Sequence, residues 1–218
     1  PLDRYRVCSA SLREEMHNEP ALVFVCNPHN PTGSVLDADA VKSLCETAYA
    51  TGSYLVFDEA YAEFADDSFT SALPWAREGG PVSVLRTFSK AYGLASLRVG
   101  ALIGGPDVVS RIETVQDAMP YHVNRLAQAA ACAALADQAF LEQTRVYTDT
   151  ARTMLCCALD RLGITYLPSQ TNFVTLHLPG SALKVTRQLL AEHVHVRDTT
   201  DMGMPGWMRI SVGTPSDI

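Results

Sequence analysis

A lysine preceded by hydroxyl residues and followed by an arginine is the first feature of the sequence that could do chemistry. The segment "VLRTFSKAYGLASLRVG" places Thr87, Ser89 and Lys90 after an apolar run, and Arg98 eight positions after the lysine. A guanidinium and short hydroxyl donors are suited to holding a phosphate group. An amine that lies beside a phosphate without being its counterion suggests covalent use. A lysine becomes nucleophilic towards carbonyls when it is desolvated or near another cation. The segment therefore predicts a phosphate site with a carbonyl-reactive amine.

Polar residues also follow two earlier apolar runs. Asn30 lies in "NPHNPTG" after "ALVFVC", and Asp58 and Tyr61 lie in "DEAY" after "YLVF". Ligands of open α/β sheets bind outside the carboxyl ends of the strands, so we expect the three clusters to face one pocket. An isolated Asp is more often satisfied by backbone donors. A buried carboxylate with these neighbours could instead pair with a protonated ring nitrogen.

Together the three clusters predict a site for pyridoxal 5'-phosphate. Lys90 provides an aldehyde-reactive amine, and Thr87, Ser89 and Arg98 provide a phosphate cradle. Asp58 provides a carboxylate for the pyridinium nitrogen, and Tyr61 and Asn30 provide donors for the ring oxygen. Asp58 would keep the ring nitrogen protonated, which makes the ring an electron sink. Lys90, once displaced by a substrate amine, would shuttle a proton.

Composition excludes several other classes of protein. The formal net charge is -7 without a run of Lys or Arg, which argues against a nucleic-acid partner. The apolar runs are far shorter than the roughly 20 residues of a membrane span, and the N-terminus does not resemble a signal peptide. The 6 cysteines form no CxxC pair and have no His at metal-ligand spacing, so we expect no metal site and a reducing cytoplasm.

The pattern of elements predicts an α/β fold with a mostly parallel sheet sandwiched by helices. Short continuous apolar strands alternate with amphipathic helices from residue 21, and Asp37 and Gly52 provide the cap residues of one such helix. After a long Ala-rich helical stretch, broken near residues 136–138, the pattern predicts a smaller α+β module. We therefore expect a partial large domain over residues 1–130 and a small C-terminal domain, with the connecting long helix, over residues 131–218.

Five motifs occur in the order and at the spacing of a known family. The segments "NPHNPTG", "DEAYAEF", "TFSKAYGLASLRVG", "PSQTNFV" and "MRISVGT" resemble the class I/II aminotransferases of fold type I, most closely the branch of histidinol-phosphate and aromatic aminotransferases. The resemblance extends over practically the whole chain. It implies amino-acid biosynthesis, an internal Schiff base on Lys90, and a homodimer with active sites at the subunit interface.

The resemblance also implies roles for three residues outside the cofactor clusters. Arg209 matches the arginine that binds the substrate α-carboxylate, and an arginine among apolar strand neighbours needs an anionic partner. Arg197 matches a position that helps to bind the substrate phosphate, or it forms a surface ion pair with Asp198 or Glu192. Asn172 lines the substrate side or caps a turn before a strand.

The resemblance leaves the reaction and the extent of the chain open. The expected substrates are an L-amino acid, such as a histidinol-phosphate-like or aromatic donor, and a 2-oxo acid such as 2-oxoglutarate. The same residues would serve a decarboxylase, a lyase or a cyclase of the fold. Family members have about a hundred or more residues ahead of Pro1, so the sequence resembles the latter two thirds of an enzyme. We expect the sequence to be a portion of a longer polypeptide. There are two alternatives: the missing part is a separate chain, or the protein is a truncated form without turnover.

Overall fold

The computed structural model describes residues 2–119, 122–178, 180 and 182–218, which form two four-stranded sheets with their helices and an N-terminal two-stranded hairpin. The helices and strands in chain order are β1 (Leu2–Asp3), β2 (Arg6–Val7), α1 (Ser9–Asn18), β3 (Leu22–Cys26), α2 (Ala38–Thr51), β4 (Tyr54–Asp58), α3 (Leu73–Arg77), β5 (Val82–Thr87), β6 (Gly100–Ile103), α4 (Pro106–Asp117), α5 (Arg125–Ala136), α6 (Gln138–Arg161), β7 (Tyr166–Leu167), β8 (Phe173–His177), α7 (Ala182–Ala191), β9 (Arg197–Asp198) and β10 (Trp207–Ser211).

The first sheet has the order β3-β4-β5-β6 and confirms the predicted fold class. Strands β3, β4 and β5 are parallel, and β6 is antiparallel to β5. Parallel pairing places the carboxyl ends of β3, β4 and β5 at one edge, so the segments "NPHNPTG", "DEAY" and "TFSK" all begin there. The sheet therefore brings together the three polar clusters that the sequence separates.

Helices lie on both faces of this sheet. On one face α1, α2 and α3 enclose a core in which Val41, Leu44, Cys45 and Ala48 are fully buried, as their helical spacing predicts. The Asp37 side chain caps α2 by accepting from the Ala40 amide at 2.7 Å, and Gly52 ends the helix in the left-handed conformation. On the other face, helix α4 lies over the sheet.

The second sheet, of order β7-β8-β10-β9, is antiparallel and belongs to the C-terminal module. Helices α6 and α7 pack on it around Leu159, Val174, Leu176 and Met208. The predicted break in the Ala-rich stretch occurs at Asp137, which ends α5 and caps α6. In the described ranges no helix is long and apolar enough to cross a membrane. The boundary at residue 130, which falls inside α5, stays a prediction.

The sequence pattern did not reveal the N-terminal elements. Residues 2–7 form a two-stranded hairpin, and helix α1 buries Met16 against α2. Helix α1 has only one buried residue and no side-chain N-cap, so it gives a weak sequence signal.

Candidate active site

The loop after β3 is fixed by hydrogen bonds to the next strand and to its own turn. The Asn27 amide donates to the Asp58 carbonyl at 3.0 Å, and the Asn27 side chain accepts from the Leu36 amide at 2.9 Å. The Asn30 amide lies 3.4 Å from the Cys26 sulfur. These contacts hold Asn30 beside the carboxyl end of β4.

Tyr61 occupies the centre of the cluster, and its side chain is almost completely buried. Its ring packs edge-to-face on Phe173, with the centroids 5.2 Å apart, and the Lys90 Nζ lies 5.5 Å from the Tyr61 ring centroid. Burial raises the pKa of the Tyr61 phenol, while the nearby Arg209 charge opposes the rise and the Cys26 and Asp58 charges add to it. The phenol is therefore a neutral hydrogen-bond donor with Lys90, Asp58 and Arg209 around it.

Lys90 is exposed, so burial does not desolvate its amine, and no carboxylate of the described residues pairs with it. Among the ion pairs formed by described residues none includes Lys90, and its recorded contact is with the Tyr61 ring. An unpaired amine is available for reaction with a ligand carbonyl.

Asp58, the last residue of β4, is half-buried. Its Oδ1 accepts a hydrogen bond from the Ala60 amide at 3.1 Å, which is the backbone interaction expected of an isolated Asp. No hydrogen bond within the described part of the chain uses Oδ2. One carboxylate oxygen is thus fixed by the backbone, and the other remains available to a ligand.

Thr87, Ser89 and Arg98 lie where β5 ends and β6 begins. The Thr87 hydroxyl accepts from the Ser89 amide at 3.1 Å, which forms a tight turn ahead of Lys90. Arg98 is exposed, and its backbone is left-handed, with φ 53° and ψ 49°. Its guanidinium donates to the Ala95 carbonyl at 3.0 Å. A non-glycine residue in this conformation is strained, and such strain is commonest at functional sites.

Arg209 joins the C-terminal module to this cluster. Its NH1 donates to the Asn30 side-chain oxygen at 2.5 Å, and its guanidinium carbon lies 5.0 Å from the Phe173 ring centroid. The Nε is buried and has no hydrogen-bond partner. A buried unpaired donor on a charged group is costly, and a bound anion would satisfy it.

Arg197 and Arg209 are direct cross-strand partners in the second sheet, so both side chains project from the same face. Like charges in this arrangement repel each other, and an anion would relieve the repulsion. The Arg197 guanidinium pairs with Asp201, which is neither of the two ion-pair partners predicted for it. The Asn172 carbonyl accepts from the Val212 amide at 2.9 Å, while its side chain forms no hydrogen bond within the described ranges.

Sequence reasoning missed a partly buried ionic group beside the cluster. The Arg86 guanidinium lies between the carboxylates of Glu59 and Glu63, at 2.7 and 2.9 Å. The segments quoted from the sequence contained all three residues, but their role depends on which strands are neighbours. Among the residues that the structure describes, no group of three or more His, Cys, Asp or Glu side chains could hold a metal ion.

Comparison with known families identifies the group to which the chain belongs. The sequence model described as "Aminotransferase class I and II" matches residues 7–218. The chain belongs to this family. Among curated relatives of this aminotransferase-family chain, histidinol-phosphate aminotransferase 2 of Ralstonia nicotianae is 40% identical over 200 residues, and these cover 90% of the chain and 53% of that protein. The namesake from Pseudomonas aeruginosa is 41% identical over 197 residues, with the same coverage of 90% and 53%.

Solved structures of aminotransferases share the fold. A Sinorhizobium meliloti histidinol-phosphate aminotransferase in complex with pyridoxal-5'-phosphate superposes with a TM-score of 0.80 at 31% identity, covering 94% of this chain and 56% of that one. The Clostridium acetobutylicum histidinol-phosphate aminotransferase has a TM-score of 0.90 at 20% identity, covering 99% and 66%, and that likeness concerns the fold alone. This aminotransferase-family chain spans about half the length of the curated relatives it matches.

Proposed function

We propose that the chain carries the principal catalytic residues of a pyridoxal-phosphate-dependent aminotransferase. The enzyme would move an amino group between an L-amino acid, with a histidinol-phosphate-like or aromatic donor favoured by the named relatives, and a 2-oxo acid such as 2-oxoglutarate. The observation that carries the proposal is the arrangement around Tyr61. The unpaired Lys90 amine lies on its ring, while Asn30, at the neighbouring strand end, is bonded to Arg209.

The donor set fits pyridoxal phosphate on structural grounds. The Asp58 Oδ2 is available for a ring nitrogen, and the neutral Tyr61 phenol can donate to a ring oxygen. The strained Arg98 lies beside the Thr87–Ser89 segment, because the Phe88 amide donates to the Val99 carbonyl at 3.2 Å. When bound, the cofactor would supply an aldehyde for amines and a ring that accepts electrons from a bond at the substrate Cα.

Each chain residue then has a definite task. The Lys90 amine would hold the cofactor aldehyde at rest and carry the proton removed from the substrate Cα during turnover. The Asp58 carboxylate would accept the hydrogen bond of the protonated ring nitrogen. The Arg209 guanidinium, whose NH1 is bonded to Asn30, would bind the substrate α-carboxylate. Arg197, beside Arg209 on the same face of the sheet, would contribute to the binding of an anionic substrate side chain.

The decisive experiment is spectroscopic, on protein expressed from its full reading frame. We expect the wild type to bind added pyridoxal phosphate with a visible absorption band, and Lys90→Ala to lack that band. The matched control is Lys42→Ala, because Lys42 is exposed and forms only a surface pair with Glu46 at 3.8 Å. A wild type that remains colourless and takes up no cofactor would refute the proposal and favour a form without turnover.

A second measurement distinguishes transamination from the alternative reactions of the fold. Wild-type protein would be incubated with histidinol phosphate or an aromatic amino acid together with 2-oxoglutarate. We expect glutamate and the keto product in equal amounts. Carbon dioxide, or an elimination or cyclisation product, would establish a decarboxylase, a lyase or a cyclase instead.

The proposal extends to assembly and location. The chain would act as a homodimer in the cytoplasm: the family assignment supports the dimer, and the six cysteines, which are all free thiols, are consistent with a reducing compartment. Sedimentation at micromolar concentration would test the dimer, and a monomer that retains full activity would contradict it.

A further inference from the structure

The partly buried ionic group beside the site connects the two strand ends that carry the proposed catalytic residues. Glu59 directly follows Asp58, and Arg86 lies four positions before Lys90. Two nitrogens of Arg86 contact the Glu59 Oε2, Nε at 3.0 Å and NH2 at 2.7 Å. The third nitrogen contacts Glu63 at 2.9 Å, two positions after Tyr61. One guanidinium therefore contacts the chain on both sides of Tyr61.

Glu59 is a fixed anchor for this guanidinium. Its side chain is completely buried. The carboxylate also accepts from the Ala72 amide and from the Ser71 hydroxyl, each at 2.7 Å. The Glu59 amide donates to the Leu85 carbonyl at 3.0 Å, which extends the β4–β5 ladder to the site. The rigid planar fork of Arg86 thus meets a carboxylate that cannot rotate away.

Stability alone does not account for this group. Buried ion pairs are often no more stabilising than apolar residues of similar volume. Here two carboxylates share one guanidinium, and the Glu63 Oε2 is buried without a partner. What the arrangement adds to the backbone pairing of Asp58 with Leu85 is geometry, because it links the end of β5 to side chains on both sides of Tyr61.

We propose that Arg86 is a positioning residue that holds the segment of Asp58 and Tyr61 at a fixed distance from the segment of Lys90. This inference rests on the proposed function, because the fixed distance matters only if Asp58 and Lys90 engage one ligand. A displacement of about 1 Å at reacting groups can cost on the order of 100-fold in rate.

The test compares Arg86→Gln, Arg86→Lys and Glu63→Gln, made in the full reading frame, with Arg145→Gln as the matched control. Arg145 is an exposed arginine whose pair with Glu142 spans 3.4 Å on the surface of α6. The readouts are the dissociation constant of pyridoxal phosphate, the circular dichroism of the bound cofactor and the pH midpoint of its visible band.

We expect Arg86→Gln to bind the cofactor about 10- to 100-fold more weakly, with altered dichroism and a displaced pH midpoint. Arg86→Lys keeps the charge but not the fork, and should restore part of the affinity. Glu63→Gln leaves the Glu59 contact intact, should fold even if Arg86→Gln does not, and should shift the same readouts by a smaller factor. Arg145→Gln should match the wild type.

The proposal is overturned if Arg86→Gln, or Glu63→Gln where the former does not fold, lowers only the melting temperature and keeps wild-type affinity, dichroism and pH midpoint. That outcome would leave the proposed function intact. A wild type that binds no pyridoxal phosphate would instead refute the proposed function itself.

Discussion

Arg209 donates a hydrogen bond of 2.5 Å to the side-chain oxygen of Asn30, although 179 positions separate the two residues in the chain. The bond connects strand β10 of the second sheet to the loop after β3 of the first. A residue proposed to bind substrate and a residue proposed to bind cofactor therefore lie in direct contact. A displacement of either sheet would therefore alter both the substrate-binding part and the cofactor-binding part of the site.

Arg209→Lys should separate substrate binding from cofactor binding. Lysine keeps the charge but loses the second nitrogen needed to grip a carboxylate, so we expect KM for the amino acid to rise about 10- to 100-fold. The affinity for pyridoxal phosphate, measured by titration, should change by a much smaller factor. Equal losses in both quantities would show that Arg209 acts mainly by supporting Asn30.

The contact between the two modules also explains the need for glycine at position 33. Gly33 has φ +78°, and a Cβ there would lie 2.3 Å from the Ser169 Oγ and 2.8 Å from the Ser169 backbone. The Gly33 carbonyl also accepts from the Gln170 amide at 2.8 Å. A side chain would therefore push the C-terminal module away from the "NPHNPTG" loop.

We expect Gly33→Ala to lower the free energy of unfolding by about 2–4 kcal/mol, the sum of backbone strain and steric overlap. Gly52→Ala is the matched control, since Gly52 has φ +72° but a Cβ would meet nothing within 4 Å. Backbone strain alone should cost about 1–2 kcal/mol there. Urea unfolding of both variants gives the comparison, and equal losses would disprove the steric part.

His29, in the same loop, should make stability depend on pH. Burial lowers the pKa of the His29 imidazole below its ordinary value of 6.5, and the ring Nδ1 lies 2.9 Å from the Thr32 hydroxyl. As pH falls below 6.5, the unfolded chain binds a proton that the folded state does not, so the free energy of unfolding decreases until folded His29 is also protonated.

The measurement for His29 is urea unfolding between pH 5 and 8. His29→Asn keeps a polar atom near the Thr32 hydroxyl and removes the titration. It should flatten the pH dependence by at most about 1.4 kcal/mol per pH unit, the limit for one proton. Parallel wild-type and variant curves would contradict the assignment to this residue.

The sequence predicted the parts of the fold that depend on local patterns. Asp37 and Gly52 delimit α2 because a cap side chain and a left-handed glycine act within a few residues. The three strand-end clusters could be grouped because parallel strands end at one edge. The Arg86 ionic group and the Arg209–Asn30 hydrogen bond could not be predicted from the sequence, because they depend on strand register and on the docking of distant segments.

Arg98 offers a test in which the stability of the protein and its affinity for the cofactor should change independently. Its backbone is left-handed, with φ 53°, and its exposed guanidinium donates to the Ala95 carbonyl at 3.0 Å. Glycine adopts this conformation without strain, so Arg98→Gly should stabilise the cofactor-free protein by about 1 kcal/mol relative to Arg98→Ala. Both variants lack the guanidinium proposed to hold the phosphate. Both should therefore bind pyridoxal phosphate about tenfold or more weakly than the wild type.

Thermal unfolding without cofactor and titration with pyridoxal phosphate measure the two effects on the same Arg98 variants. If the glycine variant binds as the wild type does while the alanine variant does not, the affinity depends on the backbone conformation rather than on the guanidinium. If both retain wild-type affinity, Arg98 does not hold the phosphate. In that case the strain at this position must be explained by the turn into β6, where Val99 is buried against Phe88 and the Phe88 amide donates to the Val99 carbonyl at 3.2 Å.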